Sequence, residues 1–394
     1  MAVAVALVAI NLRPGATSIG PVLAELQHDL GLSPTTAGVL TALPGLTFAV
    51  AGACAVAVSR RAGISGAVAA GLALVTAGLL ARSVVAAAPV FLVLTVLALA
   101  GMAVGNILVP AFIKRHGGER TAALNSVYTT GLAVGATLPL VAAGPLTAHG
   151  PGGWRSALGL WGLAAAAALA AWVAVAARDR RDSATTPMKA LRSGPRVRIT
   201  RSRTAVALCL YFGVQSMHAY VQFGWVAQIY RDGGMDQTSA GLMAAIIAAM
   251  GIPGGLLMPA VVARSPHLRA WIVALGISMV AGYLGLLLAP SALPWLWALL
   301  LGVGSFSFPT ALALIIARSR DARVTARLSA FTQPVGYLLA AAGPFAVGAL
   351  HEATGGWTVP LIMLAVSGVV LVAAGALAAA PRFVDDELTG PATD

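Results

Sequence analysis

Arg13 stands near the middle of the apolar run Met1–Val22, in the segment Asn11-Leu12-Arg13-Pro14-Gly15. A guanidinium keeps its proton inside a protein, and a charge at the centre of a bilayer costs roughly 2.5–3.5 kcal/mol on insertion scales. No Asp or Glu lies in the central part of any apolar segment. Glu25 and Asp29, the nearest acids along the helix, are about 18 and 24 Å away at 1.5 Å per residue. The counter-charge for Arg13 is therefore expected from outside the chain, as an anionic or strongly polar solute. The alternative is that Arg13 bonds to carbonyls of neighbouring helices and only locks packing. Pro14 donates no N–H and frees the Ile10 carbonyl, and Gly15 with Gly20-Pro21 weakens the helix further. Thr17 shares a helix face with Arg13, whereas Asn11 points elsewhere.

Four more groups carry polar chemistry in apolar surroundings. Tyr211, Gln215, His218, Gln222 and Trp225 follow one another at 4, 3, 4 and 3 residues and form one helical stripe. A polar stripe in a membrane span is expected to face the bundle interior or a water-filled cavity; Gln215, His218 and Gln222 would then donate to a solute, or else join helices to one another. His218 titrates near neutrality and is the one internal proton carrier the sequence nominates. Gln333 and Tyr337 are four apart on another helix. Tyr128, Thr129 and Thr130 are plausible cavity walls, although a threonine commonly bonds back to its own helix. Asn106 either touches solute or ties its helix to a neighbour.

The elements that position these residues follow from composition. The 394 residues are 59% hydrophobic and 10% charged, against about 25% charged in ordinary soluble domains. This is the composition of an integral membrane protein, and Met1–Val22 is too long, with no basic start or cleavage site, for a removable signal peptide. Twelve apolar stretches long enough to span a bilayer are expected at 3–26, 35–58, 64–83, 89–114, 121–148, 155–177, 204–230, 237–262, 268–289, 292–317, 325–350 and 357–379. With the N-terminus inside, twenty-one Lys and Arg fall on the cytoplasmic side and three (Arg82, Arg155 and Arg231) outside. That bias puts both termini in the cytoplasm and accounts for the net charge of +12 without a nucleic-acid partner. Cys54 and Cys209 lie in apolar segments and make neither a disulfide framework nor a metal site. No cofactor is implied.

The chain also repeats. Gly105-Asn106-x-x-x-Pro110 returns 199 residues later as Gly304-Ser305-x-x-x-Pro309, and Gly144-Pro145 as Gly343-Pro344. Ala37-Gly38, Arg61 and Gly152-Gly153-Trp154 return after 203 residues as Ala240-Gly241, Arg264 and Gly355-Gly356-Trp357. Two pseudo-symmetric six-helix bundles are expected, at 1–177 and 204–380, joined by a basic cytoplasmic linker at 178–203 and followed by a cytoplasmic tail at 381–394. Duplicated halves of this kind place a solute site between them near the midplane. Pro14, Gly20, Pro21, Pro110, Pro309 and Pro344 are the expected helix breaks or hinges.

Asn11-Leu12-Arg13-Pro14 with Gly20-Pro21, Gly105-Asn106 through Pro110, and Gln333-x-x-Gly336-Tyr337 followed by Gly343-Pro344 together resemble the cyanate permease and 2-nitroimidazole transporter branch of the major facilitator superfamily. Trp154 and Trp357 fit the same pattern, and the likeness spans nearly the whole chain. It implies a monomeric permease of the cytoplasmic membrane that moves a small polar or anionic solute by alternating access. The chain departs from the superfamily at the loop after the second helix, usually Asp-Arg-x-Gly and here Arg60-Arg61-Ala62-Gly63. The acidic partner of a gating latch is therefore missing there. A multidrug exporter of the same fold would favour large aromatic cavities for lipophilic cations, which a lone Arg and no membrane acid oppose. A membrane-embedded enzyme would call for ligand pairs such as His-x-x-x-His, and none occurs. A receptor would need an extramembrane domain.

Overall fold

The computed structural model describes residues 1–182 and 199–389, so most of the expected linker at 178–203 and the last residues of the tail lie outside the described part. Every regular element among the described residues is helical. Twelve helices are long and apolar enough to cross a membrane: Ala2–Leu30, Pro34–Ala51, Val58–Arg82, Ala88–His116, Ala123–His149, Trp154–Asp179, Arg203–Asp232, Gln237–Arg264, Leu268–Leu288, Pro294–Ala317, Arg323–Thr354 and Thr358–Ala378. They are called the first to twelfth spans below. Each expected stretch has one counterpart, and the differences are a few residues at the ends.

The span starts have local causes. Ser33 Oγ accepts from Thr36 N at the second span, and Ser202 Oγ from Ala205 N at the seventh. Asp236 accepts from Thr238 N and Ser239 N at the eighth, and Asp321 from Arg323 N at the eleventh. These caps satisfy amides that the helix itself leaves without acceptors.

Interruptions within spans follow the prolines, because a proline withdraws the donor for the carbonyl four residues earlier. The first span is cut into Ala2–Asn11, Pro14–Thr17, a 3-10 turn Gly20–Val22 and Leu23–Leu30. Pro14 lies at the first cut and Pro21 just past the second. The tenth span breaks at Ser305–Phe306, between Pro294–Gly304 and Ser307–Ala317, which is the position that Pro309 leaves without a donor. The eighth span breaks after Ala249, whose carbonyl Pro253 leaves without its usual donor; Pro253 is not among the expected hinges. Pro110 and Pro344 correct the expectation in the other direction. The helices Ala88–His116 and Ala322–Thr354 run through them without interruption.

The second span lies along the eleventh and the fifth along the eighth, which joins the first six spans to the last six. Three contacts across this junction lie at one end of the bundle. Arg231 meets Glu25 in a two-pronged ion pair of 2.9 and 3.0 Å, Gln237 Nε2 donates to Pro21 O at 3.0 Å, and Thr35 N donates to Glu352 Oε2 at 2.8 Å. Gly20 of the first span packs on the backbone of the seventh so closely that a Cβ there would stand 2.1 Å from Phe223 O. The space left beside this contact, lined by Ala16, Ile19, Thr41, Pro44, Tyr220 and Gly224, is about 10 Å³, room for about one water. The bundle is closed at this end.

The expected tail is in part a structured element. Val384–Thr389 is a short helix whose Glu387 accepts from Thr204 N at 3.1 Å, Thr204 Oγ1 at 2.9 Å and Ser202 Oγ, at the start of the seventh span. Partial burial pushes this carboxyl up, and the bonds from Ser202 and Thr204 outweigh it and hold the pKa below the usual carboxylate value.

Close packing within the first six spans gives a test. A Cβ at Gly135 would lie 2.1 Å from the Ile10 carbonyl oxygen, whereas one at Gly255 meets nothing within 4 Å. Gly135→Ala is expected to cost about 1–3 kcal/mol through overpacking and Gly255→Ala to leave stability unchanged, as measured by thermal unfolding in detergent. Equal melting temperatures for the two variants would contradict this packing.

Candidate functional site

The first cut in the first span sets the site. Leu12 and Arg13 leave helical geometry at φ −86°, ψ 3° and φ −123°, ψ −33°. The helix restarts as a single turn, with Ala16 N and Thr17 N donating to Arg13 O at 3.0 and 3.1 Å. Thr17 is fully buried, and its hydroxyl returns to the same Arg13 carbonyl at 3.3 Å. Thr17 therefore steadies the turn instead of lining a cavity as expected. Asn11 donates to Leu7 O at 2.8 Å, and its buried Oδ1 has no partner.

Arg13 is half-buried, and no hydrogen bond or ion pair joins its guanidinium to another described residue. Its charge acts on three phenols: Tyr128 of the fifth span, Tyr220 of the seventh and Tyr337 of the eleventh. One cation from the first six spans thus faces tyrosines of both sets. Tyr337 stands 6.3 Å from Tyr220 between ring centres, 5.9 Å from Phe48 and 5.2 Å from Phe212. Together these rings make an aromatic wall, two of whose members, Tyr220 and Tyr337, feel the charge of Arg13. Gln333, one turn before Tyr337, is half-buried. Thr129 is exposed, with its hydroxyl bonded to Asn125 O and Ser126 O of its own helix. Asn106 donates to Met102 O at 3.0 Å.

Tyr128 also explains why Pro110 breaks nothing. Proline at 110 leaves Asn106 O without its usual donor, and the Tyr128 hydroxyl donates to that carbonyl at 3.3 Å.

The seventh-span stripe is a correction. Gln215, His218 and Gln222 are all buried, and they turn into the last six spans. His218 Nδ1 lies 3.1 Å from Tyr283 OH, its Nε2 lies 3.3 Å from Ser367 Oγ, and its ring stacks on Tyr283. Gln222 accepts from Ser305 Oγ at 3.0 Å, at the break in the tenth span, and its Nε2 reaches Met279 Sδ and Tyr283 OH. Trp225 donates to Pro344 O at 3.2 Å. Gln215 Oε1 has no partner. With both ring nitrogens engaged inside the bundle, His218 sits poorly as a proton carrier. Tyr220, two residues on from His218 and so about 200° around the helix, is the residue of this span that faces Arg13. The spacing of the stripe had marked the packed face.

Three further features escaped the sequence reading. Arg82, counted there with the outer loops, is completely buried and donates to Gly15 O at 3.0 Å and Ser18 Oγ at 3.1 Å. Asp29 accepts from Trp154 Nε1 at 2.7 Å, and Asp232 accepts from Trp357 Nε1 at 2.8 Å. Those two bonds are the same bond made twice: Asp29 and Asp232 are 203 residues apart, as are the tryptophans already noted. The offset was legible and would have found them. The third is the Glu25–Arg231 pair. Among the described residues no three of His, Cys, Asp and Glu come together as a metal site would require.

The sequence pattern described as the Major Facilitator Superfamily matches residues 5–344. The chain belongs to the major facilitator superfamily. Within it, the chain is 36% identical over 379 residues to the uncharacterized transporter YycB of Bacillus subtilis strain 168, covering 96% of this chain and 92% of that one. It is 31% identical over 370 residues to the 2-nitroimidazole transporter of Escherichia coli K12, at 94% and 92% coverage. It is 28% identical over 361 residues to the cyanate transport protein CynX of the same organism, at 91% of each. In three dimensions it resembles a bacterial homologue of the human lysosomal transporter Spinster, solved in an inward-facing and occupied conformation. The TM-score is 0.77 at 16% identity, covering 99% of this chain and 98% of the other. This superfamily member is thus a multi-pass membrane protein of transporter fold.

The Tyr128–Asn106 contact can be checked directly. Tyr128→Phe leaves Asn106 O without a donor and is expected to cost roughly 1 kcal/mol. Pro110→Ala supplies an N–H to that carbonyl, so the double variant Pro110→Ala/Tyr128→Phe should recover the stability lost by Tyr128→Phe alone. Thermal unfolding of the four proteins measures this coupling, and strictly additive changes would refute it.

Proposed function

We propose that the protein is a secondary transporter that moves a small planar anion or polar heterocycle across the cytoplasmic membrane by alternating access. The observation that carries this reading is the Arg13 guanidinium, half-buried at a helix break, facing tyrosines of both sets of spans and unpaired with any described carboxylate. A fixed charge held this way is a preformed counter-ion, and its planar fork suits a carboxylate, a nitro group or a cyanate. The aromatic wall of Tyr220, Tyr337, Phe48 and Phe212 favours a flat solute over a bulky tetrahedral one. Two relatives, the 2-nitroimidazole transporter and the cyanate transport protein, are named for solutes of this chemistry.

Asn11, Gln333 and Tyr128 are the remaining polar groups proposed near the solute. The two sets of spans, 1–177 and 204–380, act as the rocking bodies. The excess of Lys and Arg at the opposite end supports placing the closed end outside, with both termini in the cytoplasm. The same aromatic wall supports a second reading, efflux of lipophilic compounds. Arg13 disfavours a cationic cargo.

Thermal stabilisation grows as RT ln(1 + [L]/Kd), so purified protein can be screened with cyanate, 2-nitroimidazole, benzoate and tetraphenylphosphonium. The anions and the heterocycle should stabilise the protein. Arg13→Lys and Arg13→Gln should weaken that binding by about tenfold or more, the loss of one bidentate charge-assisted contact. Stabilisation by tetraphenylphosphonium alone would favour the exporter reading and remove the anion.

The closed end supplies another test. Glu25→Gln removes an ion pair worth roughly 0.5–1 kcal/mol at this exposure, which should raise the outward-open population about twofold to fivefold. Thr41, buried beside Gly224, reports the change as Thr41→Cys in a background without Cys54 and Cys209. Its labelling from outside should accelerate in Glu25→Gln and return towards the parent rate in the charge-swapped Glu25→Arg/Arg231→Glu protein. Unchanged labelling would show that the pair does not hold the end shut.

A further inference from the structure

We infer that Arg82 is the positioning residue of the solute site, holding from behind the turn that aims Arg13; the inference rests on Arg13 being the counter-ion of the solute. Arg82 lies at the end of the third span with none of its surface accessible. No ion pair with a described carboxylate neutralises it, its Nε has no partner, and the Phe91 ring stands 5.8 Å from its guanidinium carbon. Its two hydrogen bonds both go to the interrupted part of the first span, to Gly15 O and Ser18 Oγ.

The placement follows from the backbone. In an unbroken helix Gly15 O would accept from Ile19 N, but the second cut, before Pro21, withdraws that donor, and the Ser18 hydroxyl beside it would also be left without a partner. The guanidinium fork fills both places. A stability role alone is a poor explanation, because apolar packing commonly matches or exceeds a buried charge and an unbroken helix would need no such donor.

Arg82 therefore serves the break, and the break serves Arg13. The carbonyl of Arg13 holds Ala16 N and Thr17 N, so residues 13 to 18 form one turn with Arg13 at its front and the Arg82 clamp at its back. The turn has little room to shift, since a Cβ at Gly15 would already lie 2.4 Å from Met102 Cε. Lysine, with one nitrogen in place of two, lacks the planar fork that serves these acceptors from Nη1 and Nη2.

The test is a binding cycle with cyanate, 2-nitroimidazole and benzoate as probes, on the parent protein, Arg82→Lys, Ser18→Ala, Arg13→Gln and the two double variants with Arg13→Gln. Arg82→Lys should raise Kd about tenfold and Ser18→Ala about threefold. Neither should raise it further once Arg13 is glutamine, since a misplaced turn then has no guanidinium to misdirect. Parent-like Kd in Arg82→Lys and Ser18→Ala, with Arg13→Gln impaired, overturns the positioning role and leaves Arg13 standing. Losses that persist in full in the Arg13→Gln background also overturn it, because Arg82 would then act independently. Parent-like binding by Arg13→Gln, or no binding of any probe by the parent, brings down the Arg13 reading and this inference together. If Arg82→Lys does not accumulate, Ser18→Ala, which leaves the guanidinium in place, decides the question alone.

Discussion

A backbone carbonyl in the apolar interior of a bilayer must find a donor, and proline takes one away. Much of the architecture can be traced to how the chain answers that demand. At Pro14, Pro21, Pro253 and Pro309 the helix gives way. At Pro110 a side chain from another span replaces the missing N–H, and the helix continues through Tyr128. Behind Pro21 both responses occur together: the helix gives way and Arg82 supplies the donors.

The two arginines in the membrane interior have opposite circumstances. Arg82 is sealed and bonded to backbone and hydroxyl. Arg13 is accessible and bonded to nothing described. The competing reading of an intramembrane arginine, that it locks neighbouring carbonyls, describes Arg82 and not Arg13. A bonded charge and an unbonded one thus stand on either side of one helical turn.

The legible part of the sequence was what depends on local chemistry. Hydropathy gave all twelve spans, and the Arg-Pro pair marked the break in the first. Spacing alone misled at the seventh span, because Tyr211, Gln215, His218, Gln222 and Trp225 do share a face, but periodicity does not say which neighbour that face meets. His218 met Tyr283 and Ser367, from spans 65 and 149 residues away in sequence, and it is Tyr220, on the other side, that feels the charge of Arg13. Arg82 was misjudged through its position at the end of an apolar run, where a loop charge and a buried one look alike. What separates them is a demand for donors in a span more than sixty residues earlier. No local pattern records such a demand.

The Asp29–Trp154 and Asp232–Trp357 bonds each stay within their own set of six spans, as one clamp made in both. The bridge beside them has no such twin. At the same 203-residue offset Glu25 corresponds to Gln228 and His28 to Arg231, so the mirror image of Glu25–Arg231 would be Gln228 with His28. Gln228 instead bonds to Asp232. At that offset the inner braces recur in both sets of spans, whereas the Glu25–Arg231 pair across the seam does not. Each set of spans thus carries its own brace, independent of the contact that joins the two.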